Sequence, residues 1–179
     1  MRKSQERALS GRTYAAAALR ALSRISASVT AREHPYMKDR AEGKECFIVI
    51  TSDKGLAGNL NNAVLKMLQK ELAQYKKENV VCIALGKKGY EYLVRRGYEV
   101  RLHHINIDDN VSLDEMKEVS SLIEGLFMGE EVRRVSIVYQ NFISTFFQEA
   151  IMHQILPLQR EHVETVIKDI TPIEGKYSE

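Results

Sequence analysis

Two glycines spaced three residues apart, Gly55 and Gly58, follow a short apolar run, residues 47–50, and precede a helical pattern of leucines and valines. A strand, a glycine turn and a helix in that order form the opening of an α/β unit. In such a unit the amides of the turn and the N-terminus of the helix can bind a phosphate group. The first chemistry that this sequence offers is therefore a nucleotide or phosphate site between Lys54 and Asn61.

The glycine turn departs from both common phosphate-binding fingerprints. A dinucleotide loop needs G-x-G-x-x-G, whereas this loop has Leu56 and Ala57 between its glycines, and no acidic residue follows the second strand pattern. A triphosphate loop needs Gly-Lys followed by Ser or Thr, whereas here Lys54 comes before the glycine. We favour a structural role, in which the glycines allow a sharp turn and Asn59 or Asn61 caps the helix. Phosphate binding remains the alternative.

The other reactive side chains stand at spacings that do not favour a site. His103 and His104 have two aspartates nearby, but adjacent residues on a strand point to opposite faces and do not easily share one metal ion. Ser52 and Asp53 have no histidine near them in the sequence, so a serine triad would depend on tertiary contacts. We therefore predict no catalytic residue, no metal ligand and no bound cofactor.

Charge is unevenly distributed in a chain whose net charge is only +2. Residues 1–33 carry seven lysines and arginines against two glutamates, and such a basic helix can bind nucleic acid or anionic lipid. A solvated face is the simpler interpretation, so we predict no nucleic-acid partner. No apolar run is long enough to span a bilayer, and no signal peptide is recognisable. Cys46 and Cys82 resemble small core residues of a protein from a reducing compartment.

The first 33 residues predict one long helix that protrudes from the rest of the chain. Apolar and small residues recur in it at spacings of four, four, three and four, which is typical of a coiled-coil seam: Tyr14, Ala18, Leu22, Ile25 and Val29. His34-Pro35 ends the helix, because a proline disfavours helical geometry in the residue before it. The sequence thus divides into a coiled-coil helix, 1–34, and a globular domain, 35–179.

Strand and helix patterns alternate through the globular domain. We predict strands at 46–51, 80–85, 99–105, 133–139 and 147–156, and helices at about 58–77, 88–96 and 113–127. Such alternation favours an α/β fold with a Rossmann-like, mainly parallel five-stranded sheet and flanking helices. The loop between the last two strands is short, so we expect that pair to be antiparallel. The polar tail after residue 158 predicts no clear element.

The glycine turn and its flanks, residues 51–61, resemble the signature loop of the gamma subunit of F-type ATP synthases. The residues that carry this match are Ser52, Asp53, Lys54, Gly55, Leu56, Gly58 and Asn61. Three further stretches resemble the same family in the same order, at 1–15, 86–89 and 139–158. The resemblance therefore extends over nearly the whole chain.

This resemblance implies a central-stalk subunit, the rotor shaft of the synthase, with no catalytic site of its own. Such a subunit couples the flow of protons or sodium ions through the membrane ring to ATP synthesis on the catalytic hexamer. The implied partners are the alpha and beta subunits of the hexamer, the epsilon subunit and the c-ring. The implied location is peripheral, at the cytoplasmic face of a bacterial membrane, without insertion into it. The sequence does not distinguish protons from sodium ions.

The resemblance also assigns residues to contacts. Four N-terminal residues would face acidic or polar groups of the hexamer: Arg2, Lys3, Gln5 and Arg7. The coiled-coil seam would pair with a long C-terminal helix that the sequence does not include, so we expect a fragment whose residues 11–29 self-associate or are poorly ordered. The signature-loop residues would shape the fold or form an interface rather than perform chemistry.

Overall fold

The structure is a computed structural model, and it describes residues 12, 15–24, 33–54, 60–106, 113–143 and 147–170. Five strands form one sheet: β1 Lys44–Ile50, β2 Val80–Leu85, β3 Glu99–His104, β4 Val132–Phe142 and β5 Gln148–Leu156. Their spatial order is β3-β2-β1-β4-β5. Neighbouring strands are parallel except β4 and β5, which are antiparallel. The predicted mainly parallel sheet with an antiparallel final pair is confirmed.

The described part of the globular domain contains four α-helices and two short 3-10 turns. The helices are α1 Leu60–Leu72, α2 Lys87–Arg95, α3 Leu113–Met128 and α4 Arg160–Ile170. The 3-10 turns are Pro35–Met37 and Lys77–Asn79. Residues 15–24, together with residue 12, are also helical. Across the described ranges, every helix is too short or too polar to cross a membrane.

Both faces of the sheet are packed, because its central strands consist largely of apolar residues. All six residues of β2 are buried, as is typical of a parallel strand covered by helices on both sides. On one face Ile48 and Ile83 belong to the same core as Phe127 of α3. On the other face Val49 belongs to a second core with Leu68 of α1. Each such side chain, when fully removed from water, contributes about 1.5–3 kcal/mol.

A glycine turn ends α2 and returns the chain to β3. Gly97 has a φ of +72°, which is the left-handed region that glycine adopts without steric cost. The amide of Gly97 donates to the carbonyl of Val94 at 3.0 Å, and the amide of Tyr98 donates to that of Leu93 at 3.1 Å. These bonds satisfy carbonyls that would otherwise be unpaired at the end of the helix.

The tail after residue 158 corrects a prediction. We expected no clear element there, but residues 160–170 form α4. The cause is an apolar face whose members recur at helical spacing among many charged residues: Val163, Val166, Ile167 and Ile170. Val163 is buried, so this face packs against the rest of the protein. The high polarity of the segment as a whole concealed the helical period.

Candidate functional site

The signature-loop residues follow the carboxyl end of β1. The strand order reverses between β1 and β4, and ligands of open α/β sheets bind beyond the carboxyl ends of strands at such a point. Four of the predicted residues are described there: Ser52, Asp53, Lys54 and Asn61. The other three lie outside the described residues: Gly55, Leu56 and Gly58.

Asn61 ties the end of β1 to the first turn of α1. Its Oδ1 accepts a hydrogen bond from the backbone N–H of Ser52 at 3.0 Å, and its Nδ2 donates to Ser52 Oγ at 2.8 Å. Ser52 Oγ in turn donates to the carbonyl of Lys54 at 2.7 Å. Asn61 is buried, so these bonds compensate the cost of removing its amide from water. Three predicted loop residues thus form one hydrogen-bonded group.

The loop after β1 also caps the N-terminus of α2. The amide of Lys87 donates to Asp53 Oδ1, and the amide of Gly89 donates to Thr51 Oγ1, both at 2.8 Å. Gly86, the residue before the helix, has no side chain that could serve as a cap. A carboxylate at this end also interacts favourably with the helix dipole. The amides that a phosphate would require at α2 are therefore bound by the protein's own loop.

At the amino ends of the strands, opposite the signature loop, positively and negatively charged side chains lie next to one another. We call this end of the sheet the amino edge. Lys44 Nζ lies 2.8 Å from Glu99 Oε2, and Arg101 pairs with both Glu99 and Glu131. The hydrogen bonds from Lys44 and then from Arg101 lower the pKa of Glu99 below its ordinary value. These side chains neutralise one another, so the cluster presents a paired polar surface at this edge.

A second ion pair at the same edge is more deeply buried than the first cluster. Glu45 is only 2% exposed, and Arg133 Nε lies 2.7 Å from its Oε1. Arg133 also donates to the carbonyl of Ala41 at 3.2 Å. An open cavity of about 450 Å³ adjoins the pair, with Gly43 and Tyr75 among its lining residues. Arg134 Nη1 lies 4.0 Å from the same carboxylate oxygen, so two arginines, with Arg133 the nearer, compensate the buried charge of Glu45.

The cysteines and adjacent histidines have structural surroundings. Cys46 and Cys82 are buried, as predicted, and burial raises the pKa of both thiols, that of Cys46 to about 12. His103 stacks on Tyr90, with ring centroids 4.0 Å apart, and His104 has Glu118 as its neighbour. Among the described residues no three histidine, cysteine or acidic side chains converge as a metal site would require.

The N-terminal segment contacts the sheet through Arg12. Arg12 Nη2 donates to Asn141 Oδ1 at 3.1 Å and to the carbonyl of Phe142 at 2.5 Å, both at the end of β4. Of the predicted seam, Ala18 is exposed and Leu22 is half-buried. The remaining predicted interface residues lie outside the described ranges: Arg2, Lys3, Gln5, Arg7, Tyr14, Ile25 and Val29.

Thr51 and Asn141 lie in stretches that resemble the family, but sequence reasoning assigned a role to neither. Both act through tertiary contacts, Thr51 with α2 and Asn141 with Arg12, and residue spacing does not reveal such contacts. A signal for Asn141 was nevertheless present. It continues the alternation of Val135 and Ile137 along β4, which puts a polar residue on a buried face, where it needs a partner.

Comparison with known proteins identifies the family to which this chain is similar. A family model described as ATP synthase matches residues 1–178. The ATP synthase gamma chain of Methylobacillus flagellatus is 31% identical over 168 residues, which cover 92% of this chain and 58% of the relative. The sodium-ion-specific ATP synthase gamma chain of Acetobacterium woodii is 32% identical over 176 residues, covering 98% of this chain and 58% of the relative.

A solved structure agrees in fold. It is a chain from the central stalk and c-ring of the mitochondrial ATP synthase of Tetrahymena thermophila, with a TM-score of 0.55 and 16% identity. The match covers 95% of this chain and 79% of that one. The chain spans 58% of the length of the two gamma chains described above. Because the family model covers almost every residue, the chain belongs to the ATP synthase family, and the relatives it matches are gamma chains.

Proposed function

We propose that this chain is part of the central stalk of an F-type ATP synthase, where it serves as the rotor shaft and carries no catalytic site. The observation that carries the proposal is the family match over residues 1–178 together with gamma-chain relatives at about a third identity. The loop geometry is compatible with it. Asn61, Thr51 and Asp53 are bound to the protein's own backbone, as expected of residues that shape a fold.

The mechanism requires differential contacts rather than an active site. An asymmetric shaft offers different surfaces to each alpha and beta subunit of the catalytic hexamer at each angular position. Contacts that favour one nucleotide-bound conformation over another couple the shaft angle to the chemistry on those subunits. Ion flow through the c-ring turns the shaft, and the ion is a proton or a sodium ion. The globular domain must then transmit torque without deforming, which the two packed cores of its sheet favour.

The N-terminal helix enters the hexamer in this proposal. Arg2, Lys3, Gln5 and Arg7 face acidic or polar groups there, and the seam residues pair with another helix: Tyr14, Ala18, Leu22, Ile25 and Val29. The globular domain contacts the epsilon subunit and the c-ring. The signature loop, 52–61, shapes the fold or forms part of an interface. The protein is then peripheral to the cytoplasmic face of a bacterial membrane.

The proposal is tested by mixing this chain with the alpha, beta and epsilon subunits of the same source and separating the mixture by size exclusion. We expect the chain to elute within the assembly. Elution of a complete alpha–beta–epsilon assembly without it would contradict the proposal.

The alternative, a nucleotide or phosphate site at Lys54–Asn61, predicts instead saturable binding of ATP or phosphate that Lys54→Ala weakens. Calorimetric titration distinguishes the two.

A matched pair of variants tests the assignment of the basic N-terminus. One variant removes three positive charges there: Arg2→Gln, Lys3→Gln and Arg7→Gln. The control removes three exposed positive charges from the globular domain: Lys66→Gln, Lys70→Gln and Arg95→Gln. If the N-terminus faces the hexamer, the first variant should associate more weakly with the alpha and beta subunits, and its association should depend less on salt. The control should associate as strongly as the parent chain, with the same dependence on salt. Equal losses would contradict the assignment.

A further inference from the structure

Arg12 bonds the N-terminal helical segment to the end of β4. Its Nη2 lies 3.1 Å from Asn141 Oδ1 and 2.5 Å from the carbonyl oxygen of Phe142. Both are hydrogen bonds from a charged donor, which are about twice as strong as neutral ones. They join parts of the chain that are 129 and 130 residues apart. One side chain therefore connects the helix to the sheet across a long stretch of sequence.

Asn141 extends this connection to a third element. Its Nδ2 donates to the carbonyl of Asp169 in α4 at 3.4 Å, and the residue is only 3% exposed. A guanidinium can only donate and a carbonyl can only accept, so the two partners fix the orientation of the amide. Oδ1 must face Arg12, and Nδ2 must face Asp169. The N-terminal segment, β4 and α4 meet at this one buried amide.

The face that the helical segment turns toward the protein differs from the predicted seam. Arg12 is partly buried, Ala16 is 5% exposed, and Leu19 and Ser23 are half-buried. These positions recur at spacings of four, three and four, which is one face of a helix. At about 100° per residue, this face lies roughly 120° around the helix from the seam that contains Ala18. Ala18 itself is exposed. Contact with the sheet therefore leaves Ala18 available to another helix, whereas Leu22, the other described seam residue, is half-buried.

We propose that Arg12 and Asn141 form a joint that fixes the N-terminal helix to the sheet, and that Asn141 extends the joint to α4. Both residues act by positioning. The role of the joint in transmitting torque rests on the proposed function, whereas its existence concerns this chain alone. Loss of either partner shifts the ratio of docked to undocked helix by roughly tenfold or more, the value expected for hydrogen bonds to a charged group.

Distances between two spin labels on the full chain test the joint. One label is placed on the helical segment by Ala17→Cys and the other on α1 by Gln69→Cys, since both positions are exposed. The native Cys46 and Cys82 are buried with raised pKa values, so the label reacts with the introduced thiols. The otherwise unmodified chain is expected to give one narrow distance distribution.

Four variants and one control then separate the two hydrogen-bonded parts of the joint, Arg12 to Asn141 and Asn141 to Asp169. Arg12→Ala removes the cation at a partly exposed position and leaves the sheet intact, so we expect a broad distance distribution. Asn141→Ala should broaden it as well. Arg12→Lys keeps a cationic donor and should restore part of the narrow component. The control Arg20→Ala removes the same charge from an exposed position of the same helical segment and should leave the distribution narrow.

The fourth variant, Asn141→Asp, distinguishes a joint from a general loss of stability. It keeps an acceptor for Arg12 but removes the Nδ2 donor to Asp169. We expect a narrow distance distribution together with faster amide hydrogen exchange across residues 160–170. Distributions for Arg12→Ala and Asn141→Ala as narrow as that of the parent would overturn the proposal. A chain that fails to assemble with its partners would overturn the proposed function and leave these distances unchanged.

Discussion

Gly86 lies directly against the carbonyl of Thr51 at the point where β2 ends beside β1. A Cβ atom on Gly86 would stand 2.0 Å from the Thr51 carbonyl oxygen, well inside any permitted contact. Its φ of +106° is also a conformation that residues with a side chain rarely adopt. Thr51 and Asp53 cap α2 immediately after this glycine. The close approach of the segments that follow β1 and β2 is what allows this capping.

Replacing Gly86 by alanine should therefore destabilise the protein strongly. We expect Gly86→Ala to lower the free energy of unfolding by about 3 kcal/mol or more, since it adds a backbone clash to an unfavourable φ. Gly97→Ala is the matched control, because Gly97 has a positive φ but no atom within 4 Å of the added Cβ. It should cost only about 1 kcal/mol. Urea denaturation of both variants measures the difference, and equal costs would contradict the close approach.

Asn61 provides a prediction for the signature loop. Asn61→Ala removes the acceptor for the Ser52 amide and the donor to Ser52 Oγ, and we expect a loss of about 2 kcal/mol of unfolding free energy. Asn62→Ala is the control, since Asn62 is exposed one position further along the same helix. It should change stability by less than about 0.5 kcal/mol. Similar effects of the two substitutions would exclude a structural role for the Asn61 amide.

The buried ion pair at the amino edge makes a third prediction. Arg133→Ala leaves the buried Glu45 carboxylate with only Arg134, at 4.0 Å, as a counter-charge, so we expect a loss of about 2–3 kcal/mol, measured by urea denaturation. Arg95→Ala breaks a pair with Glu91 in which the arginine side chain is 75% exposed. That control should cost only a few tenths of a kcal/mol. The prediction fails if both arginines can be removed at equal cost.

His153 predicts a dependence of stability on pH. Burial lowers its pKa below the ordinary 6.5, and His162 acts in the same direction, although the Asp169 carboxylate at 3.2 Å raises it. As pH falls below about 6.5, the unfolded chain binds a proton at His153 before the folded chain does. The unfolding free energy therefore decreases on acidification. His153→Phe should reduce this decrease, as measured by denaturation at several pH values. An unchanged slope would contradict it.

The sheet was predictable because its central strands are short apolar runs bounded by polar residues and glycines. The run at residues 80–85 predicted β2 with the bounds that the structure has. The antiparallel partner of β4 followed from a short connection. Helix α4 was not predicted, because its four apolar residues are interleaved with charged ones, and the segment was judged by its average polarity.

The candidate site was predictable only in part. Residue types and order predicted that Ser52, Asp53 and Asn61 belong to one loop. In the structure these residues form hydrogen bonds at the carboxyl end of β1 and at the N-terminus of α2. The Asn61 bonds to Ser52 are local, whereas the partner of Asp53 depends on how strands about 35 residues apart lie side by side. Spacing along the chain carries no such information, which is why the contact between Arg12 and Asn141 became visible only in the fold.

A rotor shaft, as proposed for this chain, turns within the synthase, and a rotation assay detects that turning. A complex with the alpha and beta subunits is fixed to a surface through the beta subunits, and a probe is attached to this chain through Gln69→Cys on α1. Supplied with ATP, the probe should rotate in one direction, and it should stop when ATP is removed. A chain that stays bound and motionless while the complex hydrolyses ATP would contradict the proposed rotor function.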